Sequence, residues 1–450
     1  MAQLKFFGGV HPEDGKEISS RQPVRTVFPR GDCVYPLKQH MGNPSVPVVK
    51  RGDYVLTGQL IAAADGDFSA NLHSSVSGTV RGIEKRRLAD GSSGDCIVIQ
   101  NDRRFGEILY PASRRLDELA PETIVESVKQ AGIVGMGGAG MPTHIKLSPA
   151  RPNRIDYYIA NCVECEPYLT SDYRRMLENP AKVINGLRIG LKIFRRARGI
   201  LAVDEKNDDI YRLFRDLTRE DARIFVKKVE HKFPQGAERQ LIYAVTGRTL
   251  NAEMLPEEVG CVTDNVDTLV AINQAVMVHE PLLTRLVTVT GDCIDKPGNY
   301  RVRIGMSYRE LIERAGGFIR EPELILDGGT MTGKRMDDLD VPVTKLTSAI
   351  VALSQDRVSG RPQTACTRCA RCVLSCPNHL VPLQLYKDAE SGNDNAFIRH
   401  NGFECSGCEC CSYICPSRIP LADSIIRTRD RLLRDADKAG AYSRRLSRRQ

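Results

Sequence analysis
The residues best equipped for chemistry in this 450-residue chain are two runs of cysteine. Cys366, Cys369, Cys372 and Cys376 are followed by Pro377, and Cys405, Cys408, Cys411 and Cys415 are followed by Pro416. Both runs have the C-x2-C-x2-C-x3-C-P spacing of bacterial two-cluster ferredoxins, in which three close thiolates wrap one 4Fe–4S cubane and the fourth, ahead of the proline, ligates the other. One cluster is therefore expected on Cys366, Cys369, Cys372 and Cys415, and the other on Cys405, Cys408, Cys411 and Cys376. Structural zinc also uses Cys pairs, but it needs two pairs, whereas each run here offers three thiols plus one before proline. Cys410 lies outside the spacing and is expected to be a bystander. Two cubanes arranged in this way pass single electrons and do no bond chemistry.

A second constellation is less local. Gly135-Met136-Gly137-Gly138-Ala139-Gly140 fits G-x-G-x-x-G, a weak signal by itself, since no clean strand precedes it and Pro142 follows. A bare glycine-rich turn is the alternative. Such a loop lets backbone N–H groups approach a phosphate or a flat ring, and Lys146 adds a positive charge nearby. Asn161-Cys162-Val163-Glu164-Cys165-Glu166-Pro167 follows the β-rich run 155–160. Polar groups at the carboxyl end of a parallel strand are where ligands bind in such sheets. Asn161 suits an isoalloxazine edge or a ribityl hydroxyl. Glu164 and Glu166 suit the hydroxyls of a dinucleotide, with a solvated loop as the alternative. Cys162 and Cys165 lack a second pair and read as small buried residues, a third metal site being the other possibility.

Elements that would position these residues follow from the periodicity. Short β-rich runs (46–49, 54–63, 77–83, 96–99) separated by glycine turns predict a small β domain after a polar leader. It resembles the barrel-sandwich domains of lipoyl and biotinyl carriers, but Ser69-Ala70-Asn71-Leu72 stands where their modifiable lysine is expected, so a structural or docking module is predicted. From about 111 to 286, helical stretches (122–132, 181–194) alternate with strands (155–160, 199–203, 223–229), which predicts an α/β layer on a largely parallel sheet. A compact α+β stretch follows, with a strand at 286–291, a Pro297-Gly298 turn, a second strand, and a helix at 308–315 closed by Gly316-Gly317. It resembles a ligand-binding β-grasp domain. The expected organisation is multidomain α/β and α+β: leader and barrel-sandwich domain over 1–105, Rossmann-like flavin domain over 106–285, β-grasp over 286–355, two-cluster ferredoxin-type helical segment over 356–426, and a basic tail over 427–450.

Several runs carry a family resemblance. Gly137-Gly138-Ala139-Gly140-Met141-Pro142-Thr143 resembles the flavin loop of the NADH-oxidising subunit of respiratory complex I. Asn161–Pro167 is similar to that family's N-A-D-E-S-E-P, with Val163 in place of the Asp. Pro234-Gln235-Gly236-Ala237-Glu238-Arg239-Gln240-Leu241 resembles its G-E-E-T-A-L region, keeping the second Glu, and Thr263-Asp264-Asn265-Val266-Asp267-Thr268 its N-N-V-E-T. Gly8-Gly9-Val10-His11-Pro12, Pro36-Leu37-Lys38-Gln39-His40-Met41-Gly42 and the domain order resemble the RnfC family, a subunit of the Rnf electron transport complex, over residues 6 to about 425. The resemblance implies non-covalent FMN, NADH as substrate, and a place on the cytoplasmic face of a membrane complex that pumps ions and exchanges electrons with ferredoxin. It implies cofactor contacts from Gly135, Gly137, Gly138, Ala139, Gly140, Lys146, Asn161, Glu164, Glu166, Gly236, Glu238 and Asn265. Lys146 would steady negative charge on the reduced ring, and Glu166 and Glu238 would line the side where the nicotinamide stacks.

Composition narrows the alternatives. The net charge of +8, from 64 basic and 56 acidic residues, is mild, and no basic stripe with interleaved aromatics points to nucleic acid. The opening Met1-Ala2-Gln3-Leu4-Lys5 lacks a signal peptide's apolar core, and no run approaches the ~20 apolar residues of a membrane span. A soluble protein, or one held at a membrane by partner subunits, is expected. The tail arginines, Arg427, Arg429, Arg431, Arg434, Arg444, Arg445, Arg448 and Arg449, fit either a solvated end or contact with anionic lipid or an acidic partner. Two other functional readings fit the same residues: an electron donor to a soluble reductase of the proline-reductase kind, and a cluster-bearing conductor without flavin.

Overall fold
A computed structural model describes residues 4–138, 140–356 and 362–438. The chain forms two compact units. One comprises 14–228 and 260–355, the other 1–13, 229–259 and 356–450.

The larger unit contains three layered parts. In the first, a four-stranded sheet (Cys33–Pro36, Ser93–Asn101, Gly78–Arg87, Tyr54–Val55) faces a three-stranded one (Val46–Pro47, Leu60–Ala63, Leu72–His73). Alternate residues turn inward, so Tyr35, Val55, Ile61, Leu72, Val80, Ile97 and Ile99 form one apolar core.

The second part is the α/β layer. Its sheet runs in the order Ile224–Val229, Arg198–Asp204, Tyr157–Cys162, Cys261–Asn265. Both neighbours of the central strand Tyr157–Cys162 are parallel to it. Helix Pro180–Ile193 packs through glycine on helix Val266–Val278, where a Cβ on Gly186 would sit 2.2 Å from the Leu269 carbonyl oxygen, and on the central strand, where one on Gly190 would sit 2.1 Å from the Tyr158 ring. The expected strands at 155–160, 199–203 and 223–229 and the helix at 181–194 all form within a residue or two of those bounds.

The third part is a six-stranded sheet ordered Arg25–Thr26, Gly298–Arg303, Thr284–Thr290, Ala349–Leu353, Leu324–Asp327, Lys334–Arg335, with helix Tyr308–Arg314 capped by Ser307. Here the leader departs from expectation. Arg25–Thr26 pairs in parallel with Gly298–Arg303 and so belongs to the β-grasp sheet rather than to the barrel. A two-residue edge strand has no periodicity for sequence reasoning to detect.

The smaller unit gathers three distant segments. Val10 and Phe233 exchange backbone hydrogen bonds at 2.8 and 2.9 Å, and Gly9 N donates to the Ser375 carbonyl at 2.9 Å. Gly8 and Gly9 both have positive φ, and a Cβ on Gly8 would stand 2.8 Å from the Cys376 carbonyl oxygen, which explains the glycine pair. Helices Arg371–Ser375, Pro382–Glu390, Asp394–Arg399, Cys410–Tyr413 and Leu421–Lys438 build the cysteine segment. The tail thus begins as a helix carrying Arg427, Arg429, Arg431 and Arg434, while Arg444, Arg445, Arg448 and Arg449 lie outside the described residues. No helix among the described residues is long and apolar enough to cross a membrane.

Candidate functional site
In the α/β sheet the chain leaves Tyr157–Cys162 toward Arg198–Asp204 on one side and returns as Cys261–Asn265 on the other. This is a topological switch point, and connections diverging from it leave a crevice at the carboxyl ends of the strands. Asn161 and Asn265 are register partners there. Asn265 Oδ1 accepts from Asp267 N at 2.8 Å, capping helix Val266–Val278, and its Nδ2 donates to Asp172 Oδ2 at 2.6 Å. The glycine loop lies against the same end of the sheet: a Cβ on Gly137 would sit 2.8 Å from Asn265 Cβ, whereas one on Gly138 would meet nothing within 4 Å. Gly137 and Gly138 are exposed, so the loop presents bare backbone. Its far side is pinned by Met136 N donating to Thr268 Oγ1 at 3.0 Å and Gly135 N to the Met141 carbonyl at 2.9 Å. Ala139 lies outside the described residues.

Lys146 is held beside this loop by an ion pair, its Nζ lying 2.7 Å from Asp264 Oδ1. Asp264 is buried and also accepts from the Tyr158 hydroxyl at 2.8 Å. Burial and the Asp264 charge together drive the Tyr158 hydroxyl far above its ordinary range, so it stays a donor. Sequence reasoning gave Asp264 no role, since its partner Lys146 is 118 residues away in the chain.

Protein donors already occupy both glutamates after the central strand. Glu164 accepts from Asp172 N at 2.9 Å and Tyr173 N at 3.2 Å, which caps helix Ser171–Glu178. Glu166 accepts from Met331 N at 2.7 Å, Thr332 N at 3.1 Å and Thr332 Oγ1 at 2.9 Å, clamping the 328–333 loop. Burial pushes its carboxyl up in spite of those bonds. The geometry therefore gives both residues a shaping role that the sequence did not reveal.

Asp172, absent from the sequence-derived set, is the most perturbed carboxyl here. Burial, with Glu164 and Asp267 close by, pushes it up to about 8 from an ordinary 3.8. An acid whose folded value lies above its unfolded one binds a proton on folding between the two, so its penalty grows through that window and is complete above it. Asp172→Asn is thus expected to gain melting temperature relative to the parent as pH rises from about 4 to about 9. A difference that is flat over that range in thermal melts would refute the assignment.

The barrel motif 36–42 backs the loop. Met41 N donates to the Gly140 carbonyl at 3.0 Å, and Gln39 Oε1 accepts from Lys345 N at 2.9 Å. Fully buried Lys345 in turn donates to the Asn71 and Gly132 carbonyls, each at 2.6 Å. The barrel and β-grasp thereby fix the loop's two ends.

Gly236 and Glu238 belong to the smaller unit, at and just before the start of helix Glu238–Thr246. Their neighbours contact the cysteine segment: Arg239 Nη1 lies 3.0 Å from Glu404 Oε2, and Gln240 Nε2 donates to Asn378 Oδ1 at 2.9 Å. In that segment the cysteines surround two cavities. One is lined by Cys366, Cys369, Cys372 and Cys415, the other by Cys376, Cys405, Cys408 and Cys411 and also by Cys410. Apart from Cys410, the lining divides the two runs in the crossed way expected from the spacing. Cys410, expected to be a bystander, is buried at the wall of the second cavity, its Sγ directed at the Phe233 carbonyl at 3.8 Å. The two runs also share backbone form: Arg368, Ala370 and His379 in the first, and Gly407, Glu409 and Arg418 in the second, all have positive φ. Alternating turns of this kind collect N–H groups around an anionic centre. Four thiols around each cavity, Cys410 aside, are a donor set that fits a 4Fe–4S cubane.

Comparison with known proteins agrees domain by domain. Residues 4–104 match the RnfC barrel sandwich hybrid domain, 128–274 the Nuo51 FMN-binding domain, 286–334 the SLBB domain and 360–416 the 4Fe–4S dicluster domain. A subunit of the proton-translocating ferredoxin:NAD+ oxidoreductase complex of Clostridium ljungdahlii is 39% identical over 382 residues, 84% of this chain and 83% of that protein. A subunit of the Na+-translocating ferredoxin:NAD+ oxidoreductase complex of Acetobacterium woodii is 35% identical over 383 residues, 84% of this chain and 86% of that one. A solved NAD+-reducing NiFe hydrogenase in its H2-reduced state shares the fold, with a TM-score of 0.50 and 17% identity over 72% of this chain and 66% of that one.

Proposed function
The chain belongs to the RnfC family of subunits of ion-translocating ferredoxin:NAD+ oxidoreductase complexes, and from that premise we propose that its switch-point crevice is where FMN and NADH meet. It is an electron-transfer subunit with an FMN-binding domain and a 4Fe–4S dicluster domain, and its partners are the other subunits of the complex. When bound, FMN exchanges electrons in pairs or singly and the clusters carry them singly. The chain's own part is positional. Gly137 and Gly138 present bare backbone N–H groups to a flat ring, and Asn161 and Asn265 supply amides at the strand ends. Lys146, fixed by Asp264, keeps a positive charge at the ring's edge. Glu166 holds the 328–333 loop at the outer side of the crevice. The position of this subunit is peripheral, on the cytoplasmic face. The observation that carries the reading is the exposed Gly137-Gly138 backbone at the switch point, with Gly137 against Asn265 and Gly138 open.

Anaerobically purified protein should bleach in its flavin and cluster bands on addition of NADH. Bleaching by dithionite but not by NADH would leave only a cluster-bearing conductor.

A further inference from the structure
Beyond the crevice and the cysteine cavities, the larger unit contains a third polar cleft. It lies between helix Val266–Val278 and strand Gly298–Arg303, encloses about 280 Å3, and is lined by Arg175, Lys182, Arg301 and Arg303 together with Asp267 and Glu280. We propose that this cleft is an anion site that takes a phosphoryl group, with Arg301 as its principal contact.

Strand Gly298–Arg303 alternates: Tyr300 and Val302 enter the β-grasp core, which turns Arg301 and Arg303 to the opposite face, toward the cleft. Arg301 is half-buried and, among the described residues, its guanidinium has no hydrogen-bond or ion-pair partner. Guanidinium does not shed its proton, so a desolvated one is costly until an anion meets it. The local carboxylates are already engaged. Asp267 is shared between Arg175, at 2.7 Å, and Arg285, and although burial opposes it these two guanidinium groups hold its carboxyl below the usual range. Glu280 accepts from Gln274 Nε2, and Glu107 lies 3.8 Å from Arg303. Arg175 spends Nε on Asp267 and Nη1 on Asn179, at 3.0 Å. Lys182 is exposed at the mouth. The cleft thus offers uncommitted cationic donors to an incoming oxyanion, and bidentate phosphate recognition is what planar guanidinium groups do best. A volume of about 280 Å3 accommodates one or two phosphoryl groups but not a whole dinucleotide. The site lies behind the glycine loop, since Arg285 also reaches the Met136 carbonyl at 3.5 Å.

The test is calorimetric titration of the whole anaerobic protein at low salt with inorganic phosphate, pyrophosphate and ADP. Saturable binding is expected, weakened about tenfold in Arg301→Gln, the loss of one charge-assisted contact, and by a smaller factor in exposed Lys182→Gln. Iron and flavin content should be unchanged in both variants. Arg301-dependent binding of ADP as well as pyrophosphate would identify a nucleotide's phosphates as the source; pyrophosphate or phosphate alone would identify the free anion. No saturable binding of any of the three, or binding undiminished in both variants, would overturn the proposal.

Discussion

Cys376→Ser protein is expected to lose the cluster enclosed by the second cysteine run and keep the one enclosed by the first. Cys372 lies inside helix Arg371–Ser375 and lines one cavity, whereas Cys376 lies just past the helix end in extended backbone and lines the other. The same break separates Cys411, inside Cys410–Tyr413, from Cys415. One short helix per run therefore sends its last two thiols to different cavities. Iron should fall from about eight to about four atoms per chain, and the remaining EPR signal should belong to the first-run cluster. Loss of the first-run cluster alone would show that the two runs are not crossed.

Gly137→Leu should remove FMN almost completely while leaving both clusters. The added Cβ would already stand 2.8 Å from Asn265 Cβ, and the rest of a leucine must go either into Asn265, displacing a helix cap, or over the loop surface meant for the ring. Flavin per chain in reconstituted protein should drop from about one to near zero with iron unchanged, since the cysteine runs belong to a separate unit. Gly138→Ala, whose Cβ meets no protein atom within 4 Å, separates folding from binding: weaker flavin with an unchanged melt points to ring contact. Full flavin occupancy in Gly137→Leu would reduce the loop to a turn.

Much of this arrangement was legible in the sequence, and for identifiable reasons. Thiol spacing is a covalent fact, so the cysteine grouping could be read directly. Strands such as Tyr157–Cys162 and Arg198–Asp204 are apolar runs fixed by burial on both faces, so they too were clear. What escaped were contacts between residues far apart in sequence. The chain gives no local sign that Glu166 would grip Met331 and Thr332, that Asp172 would be buried among carboxylates, or that Asp264 would anchor Lys146. The leader's two-residue edge strand escaped for a different reason, because parallel pairing over two positions leaves no pattern. Motif resemblance grouped Gly236 and Glu238 with the glycine loop, while the fold assigns them to the unit that holds the cysteines.

That assignment bears on how the protein is made. The cysteine-bearing unit is assembled from residues 1–13, 229–259 and 356–450, and Gly9 and Val10 hydrogen-bond to Ser375 and Phe233. During synthesis Val10 can meet Phe233 once the middle segment has emerged, whereas Gly9 must wait for Ser375, in the last of the three segments. The larger unit has all its segments once residue 355 is available and is free to close first. Iron delivery to this chain is thereby a late step, performed after the flavin domain has been made. A ribosome stalled before the first cysteine run would leave that domain folded, with Val10 able to meet Phe233 and Gly9 still without Ser375.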